Sequence, residues 1–177
     1  EVKNVQYVRV NDVEKFERDI HLNISNGSCN SAIFISLKTD IIQSKGSFHF
    51  EFQIAEAIAY LEDVVKEPAH LIGWSDGGII AMSIAIARPE LVKSLILIGA
   101  NHHYSGTLIH LPFEEPSDED KAEYAITSPD APHTLVEKIK KMLQIWEVEP
   151  DIALTELAKI QCPTLIIAGD DDVISHE

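Results

Sequence analysis

The stretch AHLIGWSDGGIIAMSIAIARPELVKSLILIGAN, Ala69–Asn101, decides the fold of this sequence. His70–Trp74 is a short apolar run, and Val92–Gly99 is a second run rich in Leu and Ile. Between them, Gly77–Arg88 is predicted to be a helix, which Pro89 ends. Two strands that are apolar throughout, joined by a helix, are typical of a parallel sheet covered on both faces. The stretch therefore predicts an α/β fold with a mostly parallel sheet flanked by helices.

A serine lies at the junction of the first strand and the helix, in the pattern Gly73-Trp74-Ser75-Asp76-Gly77. A sharp strand-to-helix turn holds its central residue in a strained backbone and lifts the hydroxyl clear of the sheet, and small neighbours such as Gly73 and Gly77 prevent a clash. Ser75 is therefore a candidate nucleophile. Because the five-letter pattern also arises by chance, a small residue in a tight turn is the alternative interpretation.

The residue after the serine supplies a second element of the predicted site. The backbone N–H of Asp76 would point into the site from a helix N-terminus, where it can stabilise an oxyanion. The Asp76 side chain is not needed for this. We interpret its carboxylate as a favourable negative charge at the helix N-terminus.

A long insertion separates the last predicted strand, Pro163–Gly169, from the earlier ones. An insertion of this length between neighbouring strands is typical of a lid or a small subdomain. We therefore predict one core formed by residues 1–101 and 160–177, with residues 102–159 as a helical cap.

Local patterns predict further elements. Residues 5–20 alternate apolar and polar side chains on either side of Asn11-Asp12, which favours a hairpin. Phe52–Val65 has one apolar stripe at helical spacing. In the insertion, Thr134 and Glu137 have the spacing of a capping box, which predicts a helix from Thr134.

The composition limits the classes of partner. The 177 residues carry 14 basic and 29 acidic side chains, a formal charge of -15, which disfavours nucleic acid and anionic membrane surfaces. The acidic run Pro112–Glu123 is interpreted as a solvated loop. Cys29 and Cys162 are too few for a disulfide framework and lack metal-ligand spacing. We therefore predict no metal site. With no membrane-spanning run and no signal-peptide pattern at its start, the sequence predicts a cytoplasmic protein.

Two segments resemble a known fold. HLIGWSDGGIIAMSIAIARPELVKSLILIGAN, His70–Asn101, and QCPTLIIAGDDDVISHE, Gln161–Glu177, resemble the α/β-hydrolase fold. GWSDGG followed by GAN is similar to the biphenyl-hydrolase-like and valacyclovir-hydrolase-like branch of that family. The resemblance is specific over about Phe52–Glu177 and weak over the preceding residues.

The resemblance implies a Ser–Asp–His triad in which Ser75 is the nucleophile and the acid follows a late strand. The family's spacing from the glycine after that strand places the acid at Asp172. Asp170 and Asp171 are the competing assignments. In such a triad the imidazole of the histidine lies between the serine and the acid. Ser75 and Asp172 are therefore expected to face one cavity without a direct hydrogen bond.

The base of the implied triad has no match among these residues. The family's histidine lies on a loop after one further strand, which the resemblance places beyond Glu177. His176 is expected to touch the acid and miss the serine, whereas His102 and His103 favour a surface or lid role. The family's His-Gly loop, which supplies a second oxyanion donor, has Asn26-Gly27 as its nearest substitute.

The function that follows from the resemblance is a serine hydrolase of ester-like or other acyl small molecules, with no cofactor. A hydrolase-like protein that binds a ligand or partner without turnover is the alternative, and a cofactor-free haloperoxidase or carbon–carbon hydrolase is a third. Apolar residues of the insertion could line an acyl pocket, although core packing explains them equally well: Leu111, Phe113, Met142, Leu143 and Trp146.

Overall fold

A computed structural model of the chain describes residues 5–10, 32–35, 49–108, 112–128 and 130–175. The strands in this part are β1 (Val5–Val10), β2 (Ala32–Ile35), β3 (Ala69–Trp74), β4 (Val92–Ile98) and β5 (Thr164–Gly169). They form one sheet in the order β1-β5-β4-β3-β2, with every neighbouring pair parallel. The predicted parallel sheet is confirmed, and the three strands predicted from the apolar runs lie side by side at its centre.

The first strand lies beside the last one. β1 pairs with β5 along its whole length, from Val5 opposite Thr164 to Val10 opposite Gly169. The strand predicted in this part of the sequence is confirmed. Its predicted hairpin partner, after Asn11-Asp12, lies outside the described residues.

Helices flank the sheet. The helices are α1 (Phe50–Tyr60), α2 (Asp76–Ala87), α3 (Asp118–Thr127), α4 (Leu135–Trp146) and α5 (Leu154–Leu157). A π-helical turn, Leu61–Val65, continues α1, so the predictions of a helix over 52–65 and of another over 77–88 are both confirmed. Among the residues described, no helix combines the length and hydropathy that crossing a bilayer requires.

The main hydrophobic core lies between α2 and one face of the sheet. Ile80 and Ile84 of α2 are buried against Leu71 and Leu95 of the central strands. Because successive strand residues face opposite sides, Ile72 and its neighbours form a second buried cluster on the other face. The central strands are therefore buried on both faces, as their continuous apolar runs predict.

The insertion lies outside the sheet and contains α3, α4 and α5. Its first residues meet residues 151 and 152, because the Ile152 N–H donates to the His102 carbonyl at 2.8 Å and His103 forms an isolated antiparallel bridge with Asp151. The segment therefore leaves the core after β4, folds back on itself at these residues, and reaches β5 through α5.

The acidic run is only partly a loop, contrary to the interpretation above. Residues 112–117 have no regular structure, but α3 begins at Asp118. Ser117 and Asp120 form a capping box: the Ser117 hydroxyl accepts from the Asp120 N–H, and the Asp120 carboxylate accepts from the Ser117 N–H. Acidic side chains in a first turn also favour a helix through its dipole.

The capping box predicted at Thr134 and Glu137 is wrong. Thr134 makes no side-chain cap, because a 3-10 turn, Pro132–Thr134, precedes α4 and holds Thr134 in helical backbone. Its hydroxyl instead donates to the Ala131 carbonyl at 2.7 Å. The helix itself is confirmed.

The contact between α2 and the end of β4 gives a stability prediction. A Cβ at Gly78 would lie 2.5 Å from the Cβ of Ala100. We expect Gly78→Ala to lower the free energy of unfolding by about 1–3 kcal/mol, since overpacking outweighs the roughly 1 kcal/mol gain in helix propensity. Adding Ala100→Gly should recover part of the loss, because it removes the nearest atom. Urea unfolding measures both effects, and a Gly78→Ala variant as stable as the wild type would contradict this packing.

Candidate active site

Ser75 occupies the turn between β3 and α2. Its backbone has φ 51° and ψ -122°, a region that residues with a side chain rarely adopt. The Ser75 N–H donates to the Ile98 carbonyl at 2.8 Å, and the Ser75 carbonyl accepts from the Gly78 N–H at 2.9 Å. The neighbouring strand and the first turn of α2 therefore hold the strained residue in place.

Two glycines make this turn sterically feasible. A Cβ at Gly73 would lie 2.4 Å from the Gly77 carbonyl oxygen and 2.5 Å from the Cα of Gly78. Gly77 thus meets Gly73 through its backbone. Gly78, which the sequence motif does not single out, is packed against Ala100. The pair Gly77-Gly78 is the sequence signal from which the contact of Gly78 with Ala100 could have been predicted.

Asp76 is the first residue of α2, and its backbone N–H makes no hydrogen bond to any residue in the described ranges. The residue is only 7% exposed, and the Trp146 indole N–H donates to its Oδ1 and Oδ2 at 3.0 Å each. Burial raises the pKa of the Asp76 carboxyl from 3.8 to about 6, and the Trp146 hydrogen bond opposes part of that rise. The carboxylate does lie at a helix N-terminus, but it is buried beneath an indole that the sequence interpretation did not foresee.

Asp172 lies on the turn after β5. Its Oδ2 accepts from the Gly169 N–H at 3.0 Å, and its Oδ1 accepts from the Ile174 N–H at 3.4 Å. A Cβ at Gly99, where φ is 54°, would lie 3.3 Å from Asp172 Oδ2, so the carboxylate rests against the end of β4. Asp172 is half-buried, whereas Asp170 and Asp171 are exposed.

The end of β4 therefore lies between the two predicted triad members. The Ile98 carbonyl accepts from the Ser75 N–H, and the Asp172 carboxylate lies 3.3 Å from the position that a Cβ at Gly99 would take. Ser75 and Asp172 each follow a parallel strand and so lie at the carboxyl edge of the sheet, where open α/β sheets place their sites. Within the part of the chain that is described, no hydrogen bond joins Ser75 to Asp172.

The described histidines near this edge are held by other groups. His102 Nδ1 lies 2.8 Å from the Ile152 carbonyl oxygen, and since a carbonyl only accepts, this nitrogen donates. His103 Nδ1 accepts from the Ser105 N–H at 3.2 Å, and His103 Nε2 lies 3.5 Å from Asp151. Neither imidazole bonds to Ser75 or Asp172 in the described structure. His176 and Asn26-Gly27 lie outside the described residues.

A cavity of about 490 Å³ opens beside this edge, between the loops that follow β4 and β5. Its lining includes Gly99, His102, His103 and Ile174, but neither Ser75 nor Asp172. A cavity shared by the two triad candidates stays a prediction.

Those of the proposed acyl-pocket residues that the structure describes do not line this cavity. Met142 and Trp146 pack against the main core, and the ring of Phe113 lies under the Lys140 ammonium at 4.6 Å. Leu111 lies outside the described residues. Core packing is the interpretation that the contacts of Met142 and Trp146 favour.

The burial of Asp76 predicts a pH-dependent stability. Because its folded pKa is raised, the folded state binds the proton more tightly, and this group costs stability as pH rises from about 4 through 6. Asp76→Asn should therefore be more stable than the wild type by about 1–3 kcal/mol at pH 7.5, and the gap should shrink toward pH 4.5. Urea unfolding at both pH values measures it. Glu147→Gln removes the same charge from an exposed position and should show no such gap; an equal gap in both variants would contradict the assignment to Asp76.

The sequence is similar to known hydrolases, although no family model matches it. RutD of Pseudomonas savastanoi pv. phaseolicola, named as a carbamate hydrolase, is 29% identical over 148 residues, covering 67% of this chain and 55% of RutD. The serine hydrolase BPHL of Mus musculus is 25% identical over 132 residues, covering 70% of this chain and 45% of BPHL. The chain thus spans about half the length of the curated relatives it matches.

The fold is shared with solved structures. A carboxylesterase structure from the thaumarchaeon Nitrososphaera gargenis matches with a TM-score of 0.57 at 17% identity, covering 96% of this chain and 72% of its own. A hydrolase from Pseudomonas aeruginosa PA01 matches with a TM-score of 0.54 at 17% identity, covering 97% and 73%. At such identity these structures support the fold alone. With the parallel sheet and the turn at Ser75, they show that the chain has the α/β-hydrolase fold, and its sequence is similar to relatives that include the serine hydrolase BPHL.

Proposed function

We propose that the protein is a serine hydrolase of ester-like or other acyl small molecules. Ser75 is the nucleophile, and Asp172 orients a histidine supplied from outside the described residues. The backbone N–H of Asp76 is one oxyanion donor. No cofactor takes part in this mechanism.

The backbone of Ser75 is the observation that carries the proposal. A φ of 51° and ψ of -122° cost the fold of order 1–3 kcal/mol, and such strain is retained where it serves a site. The same conformation, between a parallel strand and a helix, is the nucleophile elbow of serine hydrolases. A serine that merely fills a tight turn has no need of this conformation, since a glycine would adopt it without strain.

The proposed reaction uses each group in turn. The histidine removes the proton from Ser75 as Oγ attacks the acyl carbonyl carbon, and the Asp76 N–H stabilises the oxyanion. The intermediate collapses with loss of the alcohol or amine, which takes the proton from the imidazolium. Water, deprotonated by the same histidine, then hydrolyses the acyl-enzyme and frees Ser75.

The insertion, residues 102–159, is the proposed cap of this site, set on a core of residues 1–101 and 160–177. It leaves the core after β4, at the edge that carries Ser75 and Asp172, and re-enters the sheet at the start of β5, at the opposite edge. Its helix α4 contacts the nucleophile turn through Trp146 and Asp76. These contacts support a cap that bounds the substrate site on the side of α2.

Kinetics of the full-length protein on a simple aryl ester test the triad. We expect Ser75→Ala to lower kcat by about 10⁴–10⁶-fold and Asp172→Asn by about 10²–10⁴-fold, because the first removes the nucleophile and the second leaves the histidine unsupported. Asp171→Asn is the matched control, since its carboxylate is exposed on the same turn, and it should change kcat less than about twofold.

Two outcomes would contradict the proposal. Turnover that survives Ser75→Ala would remove this serine from the mechanism. Absence of turnover by the unmodified protein toward aryl, alkyl and carbamate esters alike would favour the hydrolase-like binding protein instead.

A further inference from the structure

The nucleophile turn and the insertion share one buried polar contact. The Trp146 indole N–H is equidistant, at 3.0 Å, from both oxygens of the Asp76 carboxylate, although the two residues are seventy positions apart. Among the described residues the indole is the one hydrogen-bond partner of that carboxylate. With 7% of Asp76 exposed, little water can replace the indole.

The donor is itself held firmly. Ile145, the neighbour of Trp146 on α4, is 3% exposed, and Trp146 and Met142 pack against the same core that contains Ile80 and Ile84 of α2. The position of the indole N–H is therefore set by the packing of α4 on α2. A rotation of the Asp76 carboxylate would break this hydrogen bond.

This contact acts on the residue whose backbone would bind the oxyanion. The direction of the Asp76 N–H is set by the backbone at the start of α2. The hydrogen bond from the indole fixes the side chain on the same Cα. A carboxylate free to turn toward the site would also oppose the negative charge that develops on the acyl oxygen. The indole N–H both orients Asp76 and keeps its charge on the side facing α4.

We propose that Trp146 is a positioning residue for the hydrolase reaction, acting through the Asp76 carboxylate to hold the Asp76 N–H in place for the oxyanion. The inference rests on the proposed function. It makes the docking of α4 a condition of full activity, because the donor belongs to the insertion and the acceptor to the nucleophile turn. Trp146 itself touches no reacting atom in this account.

A double-mutant cycle on the full-length protein tests the proposal. We expect Trp146→Phe, which keeps an aromatic ring and removes the N–H, to lower kcat about tenfold while KM changes less than about twofold. In an Asp76→Ala background the same substitution should have no further effect on kcat, since the group it acts through is gone. Met142→Leu, on the same helix face but with no N–H to donate to Asp76, is the packing control and should leave kcat within about twofold.

A second readout follows the contact itself. The ¹⁵N–¹H resonance of the Trp146 indole should shift with a midpoint near pH 6, following the Asp76 carboxyl, and should stop titrating in Asp76→Asn. The Trp74 indole is the internal reference. An indole signal that does not titrate, or one that still titrates in Asp76→Asn, would overturn the proposal.

The kinetic outcomes separate the two claims. Ser75-dependent turnover with equal Trp146→Phe losses in both backgrounds would overturn the positioning role alone, because the tryptophan would then act by packing. Absence of Ser75-dependent turnover would overturn the proposed function, and the positioning role with it.

Discussion

The backbone of Ser75 is the constraint on which the rest of this site depends. Its φ of 51° is held by the Ile98 carbonyl on one side and by the first turn of α2 on the other. That geometry requires Gly73 and Gly78, because a Cβ at either would overlap neighbouring atoms at 2.4–2.5 Å. The close approach of β3, α2 and β4 at this point is thus a condition for the turn at Ser75 as well as for the core.

The insertion is joined to the site from two directions. The loop after β4 pairs with the loop that carries Asp172, since the Leu108 N–H donates to the Val173 carbonyl and the Ser175 N–H to the Gly106 carbonyl, both at 2.7 Å. Elsewhere in the insertion, α4 brings Trp146 to Asp76. Changes in the insertion can therefore reach both the turn at Asp172 and the turn at Ser75 through direct hydrogen bonds.

Local patterns predicted the parts of the structure that local physics determines. Continuous apolar runs predicted β3, β4 and β5, and the glycine-flanked serine predicted the turn at Ser75. The capping box at Ser117 was not predicted, because acidic residues such as those around it favour both a solvated loop and the first turn of a helix. The contact between Asp76 and Trp146 has no local signal: it exists only once α4 packs on α2, and nothing in the spacing of the two residues indicates it.

Identification of the residue that a fluorophosphonate modifies in the full-length protein is the most direct test of the central claim. Such a probe reacts with a serine only when a base and an oxyanion site activate it. The account predicts, by mass spectrometry of tryptic peptides, a single labelled peptide covering residues 67–93, because trypsin does not cleave the Arg88–Pro89 bond, with the modification on Ser75 and not on Ser83. Modification of another serine, such as Ser105, with Ser75 left free would contradict it.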